Sequence, residues 1–234
     1  MFSNNLFTKD KIEKYLIELG KEFRKRGKGI SAEIILVGGA SVIINYNFRQ
    51  TSFDIDGIYN HPSIMKESIN AVGDKYGLPN GWLNDEFRKT KSYTPKIIQY
   101  SKYYKTFSNV LMIRTVSEEY LIAMKLVSGR KYKSDLSDIA GIMYEKQKEG
   151  NPITFEQINE AVINLYGNWD LISLESKELL NKILNNSSDS LHQNIYNSEK
   201  QVQQRLKEKI AEEGIILNQQ TAEEIVRMIT DKQR

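Results

Sequence analysis

The sequence predicts an α+β fold: a sheet flanked by helices over residues 1–115, followed by a helical region over residues 116–234 that completes a cleft. Three observations carry this. Short apolar runs at 33–37, 52–59, 96–100 and 109–114 alternate with helical stripes in the first half. From Ser117 onward only helical spacing recurs. Glycines and Asn60-His61-Pro62 punctuate the first half where one period gives way to the next. At 234 residues the chain can bury a substantial core as one large domain or two small ones.

The first helix is set by Ile12, Tyr15, Leu16, Leu19 and Phe23, three and four apart, and Gly27 and Gly29 bracket its end. Residues 33–37 then read as a buried strand, 40–46 as a short helix and 52–59 as a second strand. Met65, Ile69, Val72 and Tyr76 continue a helix up to Gly77. The loop at 78–85 is rich in turn formers but carries Trp82, read as a packing anchor ahead of a base-stacking platform. Residues 96–100 and 109–114 are the remaining strands. Ser117 is an N-cap with Glu118 and Glu119 in the first turn of a helix ending near Gly129. Helices follow at 135–148, 155–166, 177–185, 199–213 and 222–231, with a polar linker at 185–197.

Composition excludes several chemistries. The chain has no cysteine, so disulfides, thiolate metal sites and a cysteine nucleophile are absent. His61 and His192 are too few and too distant to suggest zinc. No leader and no apolar run near 18 residues is seen, which predicts a soluble cytoplasmic protein with no membrane partner. The net charge of +3 says little about partners, but its distribution is uneven.

The residues richest in chemistry lie between 34 and 59. Gly38-Gly39-Ala40-Ser41 follows a strand, where paired glycines let bare N–H groups approach a phosphate. Asp54 and Asp56, two apart on a strand, share a face and repel unless a hard cation such as Mg²⁺ lies between them. Phosphate on one side and metal on the other define a nucleoside triphosphate site.

Strand, Gly-Gly turn, short helix and a strand bearing Asp-Ile-Asp together resemble the DNA polymerase β superfamily of nucleotidyltransferases, which implies a mixed sheet in the N-terminal half. Within it, Arg49-Gln50-Thr51-Ser52-Phe53-Asp54-Ile55-Asp56 is similar to the Arg-x-x-Ser/Thr-x-Asp-x-Asp pattern of AbiEii and MenT type toxins. Residues 117–126, with Gly129-Arg130 and Ser134-Asp135-Leu136-Ser137-Asp138-Ile139, resemble their helix with an embedded lysine and the later pair of aspartates. The similarity spans residues 34–140.

The resemblance implies that Asp54 and Asp56 hold Mg²⁺ and that Gly38, Gly39 and Ser41 cradle phosphates, with Arg49 and Ser52 beside them. Lys125 would neutralise charge on the triphosphate, and Asp135 or Asp138 would orient Lys125, bind metal or accept a proton. Plainer readings stand beside these: a snorkelling Lys125, an N-capping Asp135 and a first-turn Asp138. The predicted strands carry no third carboxylate, so a third ligand comes from Asp135, Asp138 or Asp85, or the site works with two.

Residues 87–117 contain Arg88, Lys89, Lys91, Lys96, Lys102, Lys105 and Arg114, no acid, and tyrosines at 93, 100, 103 and 104. This pattern suits a single-stranded or tRNA-end binder, and equally an edge hairpin whose lysines discourage strand pairing. The expected function is Mg²⁺-dependent transfer of an NMP from an NTP to an acceptor hydroxyl, the tRNA 3′ end, as in a toxin of a toxin-antitoxin or abortive-infection system with a cognate antitoxin. The alternatives are a small-molecule or protein nucleotidyltransferase, or an inactive nucleotide- or RNA-binding relative.

Overall fold

The computed structural model describes residues 6–213 and 219–231. Helix α1 (Lys9–Gly27) opens at Thr8, whose hydroxyl accepts from the Lys11 amide at 3.4 Å, and buries Ile12, Leu16, Leu19 and Phe23 as their spacing requires. Strand β1 (Ala32–Leu36) leads into α2 (Gly38–Asn45), and β2 (Ile55–Tyr59) returns antiparallel to β1 with Leu36 opposite Gly57. Helix α3 (Pro62–Tyr76) precedes the two-residue β3 (Leu83–Asn84), then β4 (Ser101–Phe107) and β5 (Leu111–Val116). The sheet order is β3-β2-β1-β5-β4. β1 runs parallel to β5 and β2 to β3, and the other pairs are antiparallel, so the sheet is mixed as expected.

Trp82 is the packing anchor. It is buried against Phe7 and Tyr15, and its indole N–H donates to the Ile69 carbonyl at 3.0 Å, which satisfies its one polar atom.

Helices α4 (Glu118–Ser128), α5 (Asp135–Lys148), α6 (Phe155–Tyr166), α7 (Leu174–Asn185), α8 (Asp189–Glu213) and α9 (Gln219–Asp231) make up the second half. None of the described helices is long and apolar enough to cross a membrane. Two compact units form, one from residues up to Leu121 with Ala161–Gly167, the other from Ile122–Glu160 and the chain from Asn168 on. The first boundary lies inside α4, where the sequence placed it at 115. The start of α4 belongs to the sheet because the Ser117 amide donates to the Tyr100 carbonyl at 2.9 Å and Tyr120 stacks on Tyr100 at 3.9 Å. Residues 161–167 return to the same unit: Tyr166 donates to the Ser92 carbonyl at 2.7 Å and Asn164 to the Tyr120 hydroxyl at 2.9 Å.

Three expected elements differ. Residues 96–100 are not a strand but part of a 3-10 turn, Pro95–Tyr100, opened by the Thr94 hydroxyl accepting from the Lys96 amide. The strand is β4, whose residues between Ser101 and Phe107 are largely exposed and so show no apolar alternation. β2 starts at Ile55 rather than at 52. Ser52 instead forms a bridge to Phe7, with N–O distances of 2.8 and 3.0 Å. The supposed linker at 185–197 is mostly the first turns of α8, whose exposed faces are polar while Leu191 and His192 are buried.

Candidate active site

The antiparallel register of β1 and β2 puts the end of one strand beside the start of the other. The Val37 amide donates to the Asp56 carbonyl at 3.0 Å, and Gly38, the next residue, sits in the left-handed region at φ +56°. A Cβ on Gly38 would stand 3.3 Å from the Asp56 carboxylate. On Gly39 it would meet the Arg49 guanidinium at 2.6 and 2.9 Å and the Ser52 hydroxyl at 2.9 Å. The structure therefore brings Gly38, Gly39, Arg49, Ser52 and Asp56 close together. Asp54 and Asp56 are both partly exposed and flank the fully buried Ile55; Asp54 lies in the bend just before β2, so only Asp56 is on the strand and the expected strand-based sharing of a face does not hold for Asp54.

Two further observations concern the turn itself. Helix α2 has Val37 at its N-cap, which has no polar side chain and makes no side-chain cap bond to the first turn. Ser41, in its first turn, is fully buried and its hydroxyl has no hydrogen-bond partner in the structure. Asn45 steadies the other end, donating to the Ser41 carbonyl at 2.8 Å and accepting from Thr115 of β5 at 3.4 Å.

In the second unit Lys125 of α4 does not snorkel. It is 4 % exposed, and its ammonium lies 3.2 Å from Asp135 Oδ1 and 2.6 Å from Asp138 Oδ2, both in the first turn of α5. Arg130 closes the group by donating to Asp135 Oδ2 at 2.9 Å. Burial raises the Asp135 pKa, but Lys125 and Arg130 outweigh it and hold the carboxyl well below its ordinary range. Sequence reasoning grouped Lys125, Asp135 and Asp138 but missed Glu199 of α8, which accepts from the Leu136 and Ser137 amides. Its signal was an acid on the apolar stripe it shares with Val202 and Leu206.

Among the described residues no group of three or more His, Asp or Glu is placed to hold a metal ion. Asp85, one of the suggested third ligands, lies 3.7 Å from Arg88. The basic stretch is acid-free in sequence but not in space: Lys89 pairs with Glu86 and Lys102 with Glu118, each at 2.6 Å, and Lys105 with Glu13 at 3.6 Å. Lys96 donates to the Asn164 carbonyl at 3.0 Å. Lys102 and Lys105 stand on the sheet edge, where lysines discourage strand addition.

A mixed sheet with a Gly-Gly turn leaving one strand and two carboxylates at the start of its antiparallel neighbour is a nucleotidyltransferase-type architecture. Comparison with family models agrees: the chain belongs to the family described as nucleotidyltransferase of unknown function (DUF6036), whose model matches residues 13–147. No curated protein and no solved structure matches the chain. The match supports a nucleotidyltransferase family and not the AbiEii and MenT branch specifically. Its span includes every candidate site residue from Gly38 to Asp138 and excludes Glu199.

Proposed function

We propose that the protein transfers a nucleoside monophosphate from an NTP to an acceptor hydroxyl. The observation that carries this reading is the closeness of Asp56 to Gly38 and of Arg49 and Ser52 to Gly39, which sets a carboxylate, a guanidinium and a hydroxyl around one glycine turn at the start of α2. In the reaction the acceptor oxygen bonds to the α-phosphorus, the bond from that phosphorus to the β-phosphate oxygen breaks, and pyrophosphate leaves. The acceptor proton passes to a carboxylate oxygen. Gly38, Gly39 and the Ser41 hydroxyl receive phosphate oxygens, and Arg49 fixes their charge. Two partly exposed carboxylates fit a hard cation whose other positions go to phosphate and water, and Mg²⁺ held by Asp54 and Asp56 would neutralise phosphate charge and acidify the acceptor hydroxyl. Lys125 with Asp135 and Asp138 is assigned to transfer as an oriented lysine–carboxylate group, not as a lone cation.

The tRNA 3′ end is the proposed acceptor, on the resemblance to the toxins; a cognate antitoxin belongs to the same reading. The basic stretch adds little, since neighbouring acids take up most of its charge. The number of acids at the turn favours one second reading, an inactive nucleotide-binding relative.

The test incubates wild type, Asp54→Asn and Asp56→Asn with Mg²⁺ and each α-labelled NTP, offering tRNA, total RNA or protein. Label on RNA from wild type, reduced at least a hundred-fold in both variants, is the expected result, the scale of losing charge stabilisation in a transition state. Nucleotide binding with no labelled acceptor would establish the inactive reading.

A further inference from the structure

Helix α8 supplies a carboxylate that the transfer chemistry does not use. Glu199 is 4 % exposed, and its two oxygens accept from the amides of Leu136 at 2.9 Å and Ser137 at 3.1 Å. Those amides lie in the first turn of α5, where backbone donors have no helical partner. Ser134, the N-cap, makes no side-chain cap bond, so Glu199 does its work from more than sixty residues away. The same turn carries Asp135 and Asp138. One carboxylate thus holds the backbone of the turn whose two side chains hold Lys125.

We propose that Glu199 is a positioning residue that keeps Asp135 and Asp138 converged on Lys125, which puts a helix outside the family-matched span in charge of that group. The inference goes beyond the transferase reading and rests on it only for the activity measurement below.

The charges facing Glu199 are Asp138 and Asp135 of α5, with Lys125 of α4 and Arg130 beyond them. On α8 itself His192 is buried and held below its ordinary pKa by that burial, against Asp189, Asp138 and Glu145. The described core residues of α9, Ala222, Ile225 and Val226, are apolar. Burial pushes the Glu199 carboxyl up to about 8, opposed by its two bonds to α5 and reinforced by Asp138 and Asp135. While Glu199 is neutral, two cations face two carboxylates. Its ionisation adds a negative charge to that turn.

Three measurements on wild type, E199Q and E199A test the assignment: amide exchange at Leu136 and Ser137, acylation of the Lys125 amine read by mass spectrometry, and nucleotide transfer against pH. E199A should speed both the exchange and the acylation about ten-fold, as losing a helix cap and a buried acceptor predicts, with β1 and β2 amides unchanged. E199Q keeps one acceptor oxygen and cannot ionise. Wild type is expected to change its transfer rate on passing about pH 8, and E199Q to lack that change. Wild-type exchange and acylation in E199A overturn the proposal, and so does a transfer profile of E199Q that superimposes on wild type; if E199A does not fold, the same measurements on E199Q decide. If wild type transfers nucleotide to no acceptor, the transferase reading falls while exchange and acylation still decide the role of Glu199.

Discussion

Adding a methyl group at Gly39 would place it 2.6 Å from an Arg49 nitrogen and 2.9 Å from the Ser52 hydroxyl. Arg49 is a long side chain and can retreat, so Gly39→Ala is expected to fold while losing about ten-fold in NTP affinity, the worth of one charge-assisted contact. Calorimetric titration with an NTP checks this, and unchanged affinity would remove Arg49 from the phosphate site. Two other residues separate chemistry from architecture. Lys125→Met removes the ammonium from buried Asp138 and leaves Asp135 with Arg130, and should cost about 3–5 kcal/mol in urea unfolding. Asp54→Asn, at a partly exposed position, should stay within about 0.5 kcal/mol of wild type. Equal losses in the two variants would mean that the Lys125 group is not a buried ion network. The candidate residues stood out in the sequence because their types are rare in those surroundings: glycines after a buried strand, acids either side of a buried isoleucine, a lysine between Met124 and Leu126. Glu199 did not, since its partners are backbone amides distant in sequence.

At the scale of elements, the first turn of α5 joins two groups whose pKa values move in opposite directions, and stability should follow both. Asp135 has a depressed pKa in the folded state, so its contribution is present above the ordinary 3.8 and is lost as pH falls below it. Glu199 has a raised one, so its contribution is full below 4.5 and is lost as pH rises through about 8. The melting temperature of wild type minus that of E199Q is expected to shrink steadily between about pH 5 and about pH 8 and then level off. A constant difference across that range would show that Glu199 does not titrate there. Which elements could be read in advance follows from how they are buried. α5 and α6 begin and end where predicted because glycine, proline and N-terminal acids mark them. β4 was displaced because an edge strand with exposed lysines has no apolar face to betray it, and the two residues of β3 carry no period at all. The start of α8 was hidden by polar side chains that cover its solvent faces.

At the scale of the molecule, the first unit is completed by Ala161–Gly167, whose Tyr166 and Asn164 bond to Ser92 and Tyr120. A fragment ending at residue 121 lacks these partners and leaves the Ser92 carbonyl and the Tyr120 hydroxyl without them. It is expected to melt several degrees below the full chain in its sheet, as losing two such bonds from a unit of this size implies. Hydrogen exchange of β1 and β5 amides measures this, and protection equal to that of the full chain would show that the return segment is dispensable. That segment also constrains the history of the gene. Because the first unit is written in two separated passages, a single recombination event cannot lift it out whole and fuse it to a new partner. Any relative that exchanged its helical part must have kept the α6 return or evolved a substitute for it.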